Sequence, residues 1–221
     1  TMPTYQGIIF DLDGLLFDTE RLYYQATQEV ADVMGIPYDE ATYHGYIGIS
    51  DDELWRIYHD LYDTDFGQEK VDQFITRSFN RGIEMFENGE AHLKEGALEL
   101  LTYLNKKRIS KVIASSNQRR IIDILLNKVG IREEFEAIFS FEDVKRAKPD
   151  PEIFQLAHQF LSLPKKEVLV LEDSQNGVLA AHRAKLDVVM VPDLIEPTPA
   201  TKAKTTHILP SLLEVPAFLE M

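Results

Sequence analysis

The sequence predicts an α/β protein in which a mostly parallel sheet is interrupted, soon after its first strand, by an inserted helical domain. Two patterns carry this expectation. Short apolar runs rich in β-branched residues recur at Ile8–Phe10, Lys111–Ala114, Val168–Leu171 and Val188–Val191, separated by helical patterns, the alternation from which parallel sheets are built. From about Thr19 to Ala91 no such run occurs, and amphipathic helical stripes follow one another instead.

In chain order, the first strand is Ile8–Phe10. The inserted segment opens with Leu22, Ala26, Val30 and Met34 at i, i+4 spacing, stopped by Gly35 and Pro37. Ser50-Asp51-Asp52-Glu53 reads as a capping box ahead of Leu54, Ile57, Tyr58 and Leu61. A third stripe runs through Val71, Phe74, Ile75, Phe79, Ile83 and Phe86 to the break at Asn88-Gly89. Core patterning resumes at Gly96. After the strand Lys111–Ala114, Ile121, Ile122, Leu125, Leu126 and Val129 form a stripe ending at Gly130, a weak strand spans Ala137–Phe141, and Ile153, Phe154, Ala157, Phe160 and Leu161 form another stripe. Both stripes are expected to pack on the sheet. Pro192–Pro199 reads as a surface loop. The expected domains are residues 1–17 with 93–221 as the core, and residues 18–92 as the helical insertion.

Composition narrows the function. With 221 residues, 44% hydrophobic and 27% charged, the chain can bury its own core, and no stretch reaches the roughly 20 apolar residues of a membrane span. Gly7–Phe10 is too short for a secretory signal, so a soluble, cytoplasmic protein is expected, and a monomer is favoured. Thr1, ahead of Met2, is read as foreign to the natural chain. The absence of cysteine excludes disulfides, thiolate nucleophiles and cysteine-ligated zinc. A net charge of -14 repels nucleic acid and anionic lipid, and Lys106-Lys107-Arg108 reads as a solvated helix end rather than a basic patch. The six histidines show no zinc-site spacing, and no Gly-x-Ser-x-Gly occurs.

The chemistry gathers at strand ends. Asp11 and Asp13 follow the first strand directly, two apart, so extended backbone would face both carboxylates one way; alone, an acidic pair before Gly14 is also a common solvated turn. Glu172 and Asp173 follow Val168–Leu171, and Ser115, Ser116 and Asn117 follow Lys111–Ala114. Ligands of open parallel sheets bind outside these carboxyl ends. Four acids crowded there would repel unless a hard cation such as Mg²⁺ joined them. Lys148, in Lys148-Pro149-Asp150-Pro151, would add positive charge on a transferring phosphoryl group, although by itself it reads more readily as an exposed lysine before a proline-initiated helix.

Asp11-x-Asp13, Ser115, Lys148 and Glu172-Asp173, in this order, resemble the four motifs of the haloacid dehalogenase superfamily, over nearly the whole chain. The stretches Asp11–Glu20, Lys148–Phe154 and Leu171–Gly177 resemble the group containing β-phosphoglucomutase and sugar-phosphate phosphatases. The resemblance implies a Rossmann-like three-layer core with a helical cap and a small phosphate ester as partner. It further implies Asp11 as nucleophile, Asp13 as acid/base with only its carbonyl on the metal, Asp173 as a direct Mg²⁺ ligand with Glu172 acting directly or through a water, and Ser115, Ser116, Asn117 and Lys148 on the phosphate. The chemistry agrees that one acid must ligate and attack while its neighbour keeps a carboxyl free for proton transfer.

A phosphatase is the expected activity, with a β-phosphoglucomutase-type mutase and a non-catalytic phosphate-binding regulatory protein as the alternatives. Known β-phosphoglucomutases carry Arg after a Gly-x-Ser and His soon after the first motif. Here Asp51 follows Gly48-Ile49-Ser50, and Tyr23 stands at the second position. Arg77 or Arg81 could supply a cation, though each reads more simply as a surface charge. Trp55 reads as packing.

Overall fold

A computed structural model describes residues 4–221; Thr1, read above as foreign, lies outside the described residues. The chain forms two compact units, one comprising residues up to Asp18 together with His92–Met221, the other Thr19–Ala91.

In chain order the elements are β1 (Gly7–Phe10), α1 (Thr19–Met34), α2 (Glu40–Gly45), α3 (Asp51–Phe66), α4 (Gln68–Glu87), α5 (Ala97–Lys106), β2 (Ser110–Ala114) and α6 (Arg119–Lys128). They continue with β3 (Ala137–Phe139), α7 (Glu152–Leu161), β4 (Val168–Glu172), α8 (Gln175–Arg183), β5 (Asp187–Met190), α9 (Pro199–Lys202), β6 (His207–Ile208) and α10 (Val215–Leu219).

The six strands form one sheet in the order β3-β2-β1-β4-β5-β6, and every neighbouring pair is parallel. β1 and β4 are buried along their whole length, as central parallel strands covered on both faces must be, which is why they read as unbroken apolar runs. On one face Ile9, Val112, Val170 and Val188 pack with Phe154 and Ala157 of α7 and Val178 and Ala181 of α8. The alternate residues Ile8, Phe10, Ile113, Leu169 and Val189 point the other way and are equally buried. In this strand order the direction of winding reverses between β1 and β4, and a crevice opens there at the carboxyl ends.

The expected strand over Ala137–Phe141 is shorter than its apolar content suggested. β3 ends at Phe139, because the Ser140 and Asp143 side chains satisfy each other's backbone N–H groups in a capping box that starts a 3-10 turn at Phe141. The short elements α2, α9, α10 and β6 were not foreseen. Lys106, Lys107 and Arg108 are exposed at the end of α5. No helix among the described residues is long and apolar enough to cross a membrane.

The Thr19–Ala91 unit has its own core. Phe74 of α4 sits at its centre, with ring centroids 6.1, 5.4 and 6.1 Å from Tyr38, Tyr58 and Tyr62; Trp55 packs at its edge. Ser50 caps α3 by accepting from the Glu53 N–H at 3.4 Å. Gly35, at φ 70°, ends α1 in the left-handed conformation that glycine adopts without strain.

His59 ties α3 to α4. Its Nδ1 lies 2.7 Å from Asp63 and its Nε2 2.9 Å from Asp72, and only the doubly protonated imidazolium can donate to both. The hydrogen bond to Asp63 leads in raising its pKa, against some desolvation. A raised folded-state pKa means the stabilisation is fully present below the unfolded value of about 6.5 and fades as pH climbs through the folded value. His59→Gln is therefore expected to cost about 0.5–1 kcal/mol at pH 5.5 and much less at pH 9. Urea denaturation at both pH values checks this; an equal cost at each would rule out the charged bridge.

Candidate active site

The site is assembled from the ends of β1, β2 and β4 and from the loop before α7. Asp11 leaves β1 while still in the ladder, its N–H donating to Leu171 O at 3.1 Å. Glu172 is the last residue of β4 and is fully buried. Asp173 follows it, and one carboxylate oxygen from each of Asp11, Glu172 and Asp173 lies within 4.8 Å of the others.

Two glycines permit this crowding. A β-carbon on Gly177, in the first turn of α8, would lie 1.9 Å from Glu172 Cδ. The Glu172 carboxylate therefore nestles against that helix start, where it accepts from the Asp173 N–H at 3.2 Å and the Ser174 hydroxyl at 3.4 Å. The positive end of the helix dipole favours an acid there. Gly14, at φ +79°, would place a β-carbon 2.1 Å from Asp173 Oδ2.

Lys148 joins the strand ends. Its ammonium has three protons, and each has a taker: Glu172 Oε1 at 2.6 Å, Ala114 O at 2.9 Å and Asp11 Oδ1 at 3.0 Å. It also sits 4.9 Å from the centre of the Phe154 ring. The reading of Lys148 as an exposed lysine thus fails, since only 9% of it is accessible. Burial alone would pull its pKa down, but the Asp11 and Glu172 charges outweigh that and hold it raised. Burial, and then the charge of Asp11, push the Glu172 carboxyl upward against the opposing pull of Lys148. Three carboxyl groups are gathered here around a single ammonium, and the upward push on Glu172 reflects that crowding. An all-oxygen donor set of this kind is the environment a hard cation such as Mg²⁺ takes, so the residues present fit that group.

Three carboxylates converge in this cluster, rather than the four expected. The ladder bonds of the first strand stop after Asp11, so the two-residue repeat no longer governs Asp13, whose Oδ2 accepts from the Asn117 amide at 3.1 Å. Asn117 is itself held, its N–H donating to Ser115 Oγ at 3.0 Å and its Oδ1 accepting from the Gln118 N–H at 2.9 Å. Ser115 is fully buried at the end of β2, whereas Ser116 is exposed.

Sequence reasoning missed Asp193, whose Oδ2 would lie 3.3 Å from a β-carbon on Gly14, and its ion-pair partner Lys94. Asp193 follows β5 as Asp13 follows β1, so the strand-end argument could have found it. Arg81 is engaged by Glu29 at 2.8 Å and Glu84 at 3.2 Å.

The family model described as "Haloacid dehalogenase-like hydrolase" matches residues 8–191. A phosphorylated carbohydrates phosphatase of Thermotoga maritima is 32% identical over 184 residues, covering 82% of each chain. A fructose-1-phosphate phosphatase of Escherichia coli is 28% identical, covering 85% of this chain and 96% of its own. The crystal structure of CbbY from Rhodobacter sphaeroides in complex with phosphate superposes with a TM-score of 0.81 at 24% identity, over 98% of this chain and 100% of that one; at that identity the likeness speaks for the fold alone.

Lys148→Met is expected to destabilise the metal-free protein by about 3–5 kcal/mol, because it leaves two buried carboxylates without their cation. Urea unfolding measures this, and a loss below about 1 kcal/mol would mean that the pair is not coupled as described.

Proposed function

The chain belongs to the haloacid dehalogenase-like hydrolases and, as its phosphatase relatives indicate, is a hydrolase of phosphoric monoesters; on that premise we propose a Mg²⁺-dependent phosphatase that cleaves a small sugar phosphate through a phosphoryl group carried on Asp11. The observation that carries the proposal is the position of the Asp11 carboxylate at the switch point between β1 and β4, 3.0 Å from the Lys148 ammonium and grouped with Glu172 and Asp173.

An oxygen of Asp11 attacks phosphorus as the bond from phosphorus to the sugar oxygen breaks. Asp13, whose carboxyl lies apart from the acid cluster and is oriented by Asn117, gives its proton to the departing oxygen. It then takes a proton from the water that attacks the phospho-aspartate, which frees inorganic phosphate and restores Asp11. Lys148 stays protonated, bracing Asp11 and offsetting the charge on the transferring group, and Ser115 and Ser116 supply hydroxyl donors to its oxygens. Mg²⁺, held by Asp11, Glu172 and Asp173 and by the carbonyl of Asp13, would supply charge neutralisation that lets an anionic carboxylate meet an anionic phosphate.

Hydrolysis is favoured over a mutase because of two residues of the helical unit. Asp51, at the position where a β-phosphoglucomutase carries an arginine, is an exposed acid in the first turn of α3. Tyr23 stands at the other departure, its ring edge-on to Phe86 at 5.4 Å. Neither can grip a second phosphate as a cation would. A sugar phosphate is proposed as substrate from the names of the Thermotoga and Escherichia relatives.

Asp11→Asn is expected to abolish turnover with the thermal unfolding curve intact, and Asp13→Asn to lower kcat by about 10²–10⁴-fold; substantial activity in Asp11→Asn would exclude this nucleophile. EDTA should stop the reaction and Mg²⁺ restore it. A phosphate-release screen across sugar phosphates, run beside an assay for conversion of β-glucose 1-phosphate to glucose 6-phosphate, separates the activities: net phosphate release is expected, and isomer formation without it would establish the mutase.

A further inference from the structure

We propose that Asp193, held by Lys94, is a positioning residue of the cation site, acting through Asp173 and the cation's water shell rather than as a direct ligand. This rests on the reading of Asp11, Glu172 and Asp173 as a divalent-cation site.

β5 and β4 leave the sheet side by side, the Val191 N–H donating to Glu172 O at 2.8 Å. That pairing delivers Asp193 beside Asp173. The two carboxylates meet over Gly14, where a β-carbon would lie 2.1 Å from Asp173 Oδ2 and 3.3 Å from Asp193 Oδ2. Both the left-handed backbone and the missing side chain of Gly14 are needed for this approach.

Asp193 is not a loose surface acid. Its side chain is 13% exposed and that of Lys94 26%, and the ammonium binds Oδ1, which leaves Oδ2 turned toward Gly14. Lys94 is itself fixed, since its backbone N–H donates to Leu16 O at 2.7 Å. Close by, His92 and Asp18 pair, Asp18 N–H to His92 O at 3.0 Å and His92 N–H to Asp18 Oδ1 at 2.7 Å.

The chemistry follows from the arrangement. Two neighbouring carboxylates repel, and Lys94 engages only one oxygen of one of them. Mg²⁺ gives up its water reluctantly and keeps several molecules of it when bound to protein carboxylates. A fixed acceptor just outside the ligand set is suited to receive hydrogen bonds from such water and to hold the ligating carboxylate in its rotamer. Lys94 sets the direction of that acceptor.

The test uses Mn²⁺ as the probe, titrated into the full-length, substrate-free chain, with unbound Mn²⁺ read by electron paramagnetic resonance. The wild-type chain is expected to bind. Asp193→Asn should weaken binding about tenfold, the low end of what partners behind a metal ligand contribute. Asp193→Glu should bind as weakly, because it keeps the charge but moves the oxygen. Lys94→Met should change the affinity of the wild-type chain but not that of Asp193→Asn. In turnover, the Mg²⁺ concentration giving half-maximal rate should rise by the same factor in Asp193→Asn, a selective effect that general loss of folding would not produce. A wild-type chain that binds no Mn²⁺ overturns the cation-site reading itself. Wild-type binding matched by Asp193→Asn overturns only the role of Asp193, as does full recovery in Asp193→Glu. An equal effect of Lys94→Met in both backgrounds overturns the part assigned to Lys94.

Discussion

The site depends on one buried ammonium. Lys148 spends all of its protons on β1, β2 and β4, through Asp11, the Ala114 carbonyl and Glu172. Without it, the two carboxylates could not be taken out of water at a tolerable cost, because isolated buried charges are far more expensive than paired ones. With it, Asp11 stays close to the other acids. The ion pair that binds the strand ends together is the same contact on which the proposed chemistry relies.

The surrounding backbone is shaped by the close approach this demands. Glycine at positions 14 and 177 leaves room for Asp173 and Glu172, each of which would collide with a β-carbon at about 2 Å. The start of α8 meets Glu172 with N–H groups and a hydroxyl, a further share of the cost of burying it. Asp13 is outside the group of three acids, and its carboxylate accepts from the Asn117 amide at the end of β2. Two acids separated by one residue thereby acquire different surroundings, as the roles proposed for them, nucleophile and proton carrier, require.

The helical unit obeys a different logic. Its aromatic core around Phe74 and the His59 bridge between α3 and α4 make it a compact unit with a core of its own, so a change on its surface need not alter the packing of the strand ends. Asp51 and Tyr23 belong to that unit, whereas Asp11, Lys148, Glu172 and Asp173 lie at the strand ends and in the loop before α7.

The sequence by itself determined the strands β1, β2, β4 and β5, the helical insertion, and the identity of the strand-end acids. These are local properties, set by apolar periodicity and by the residues that follow each run. It showed Lys148 as a residue but not as a buried one, since burial depended on Asp11 and Glu172, 137 and 24 residues away. The end of β3 at Phe139 was hidden in the side-chain bonds of Ser140 and Asp143. The bond between Asp13 and Asn117, and the arrival of Asp193 beside Asp173, were decided only when strands far apart in the chain were laid in register. Which oxygen faces which charge is a matter of that register and of the rotamers packing allows, and neither is written in the spacing of residues along one strand.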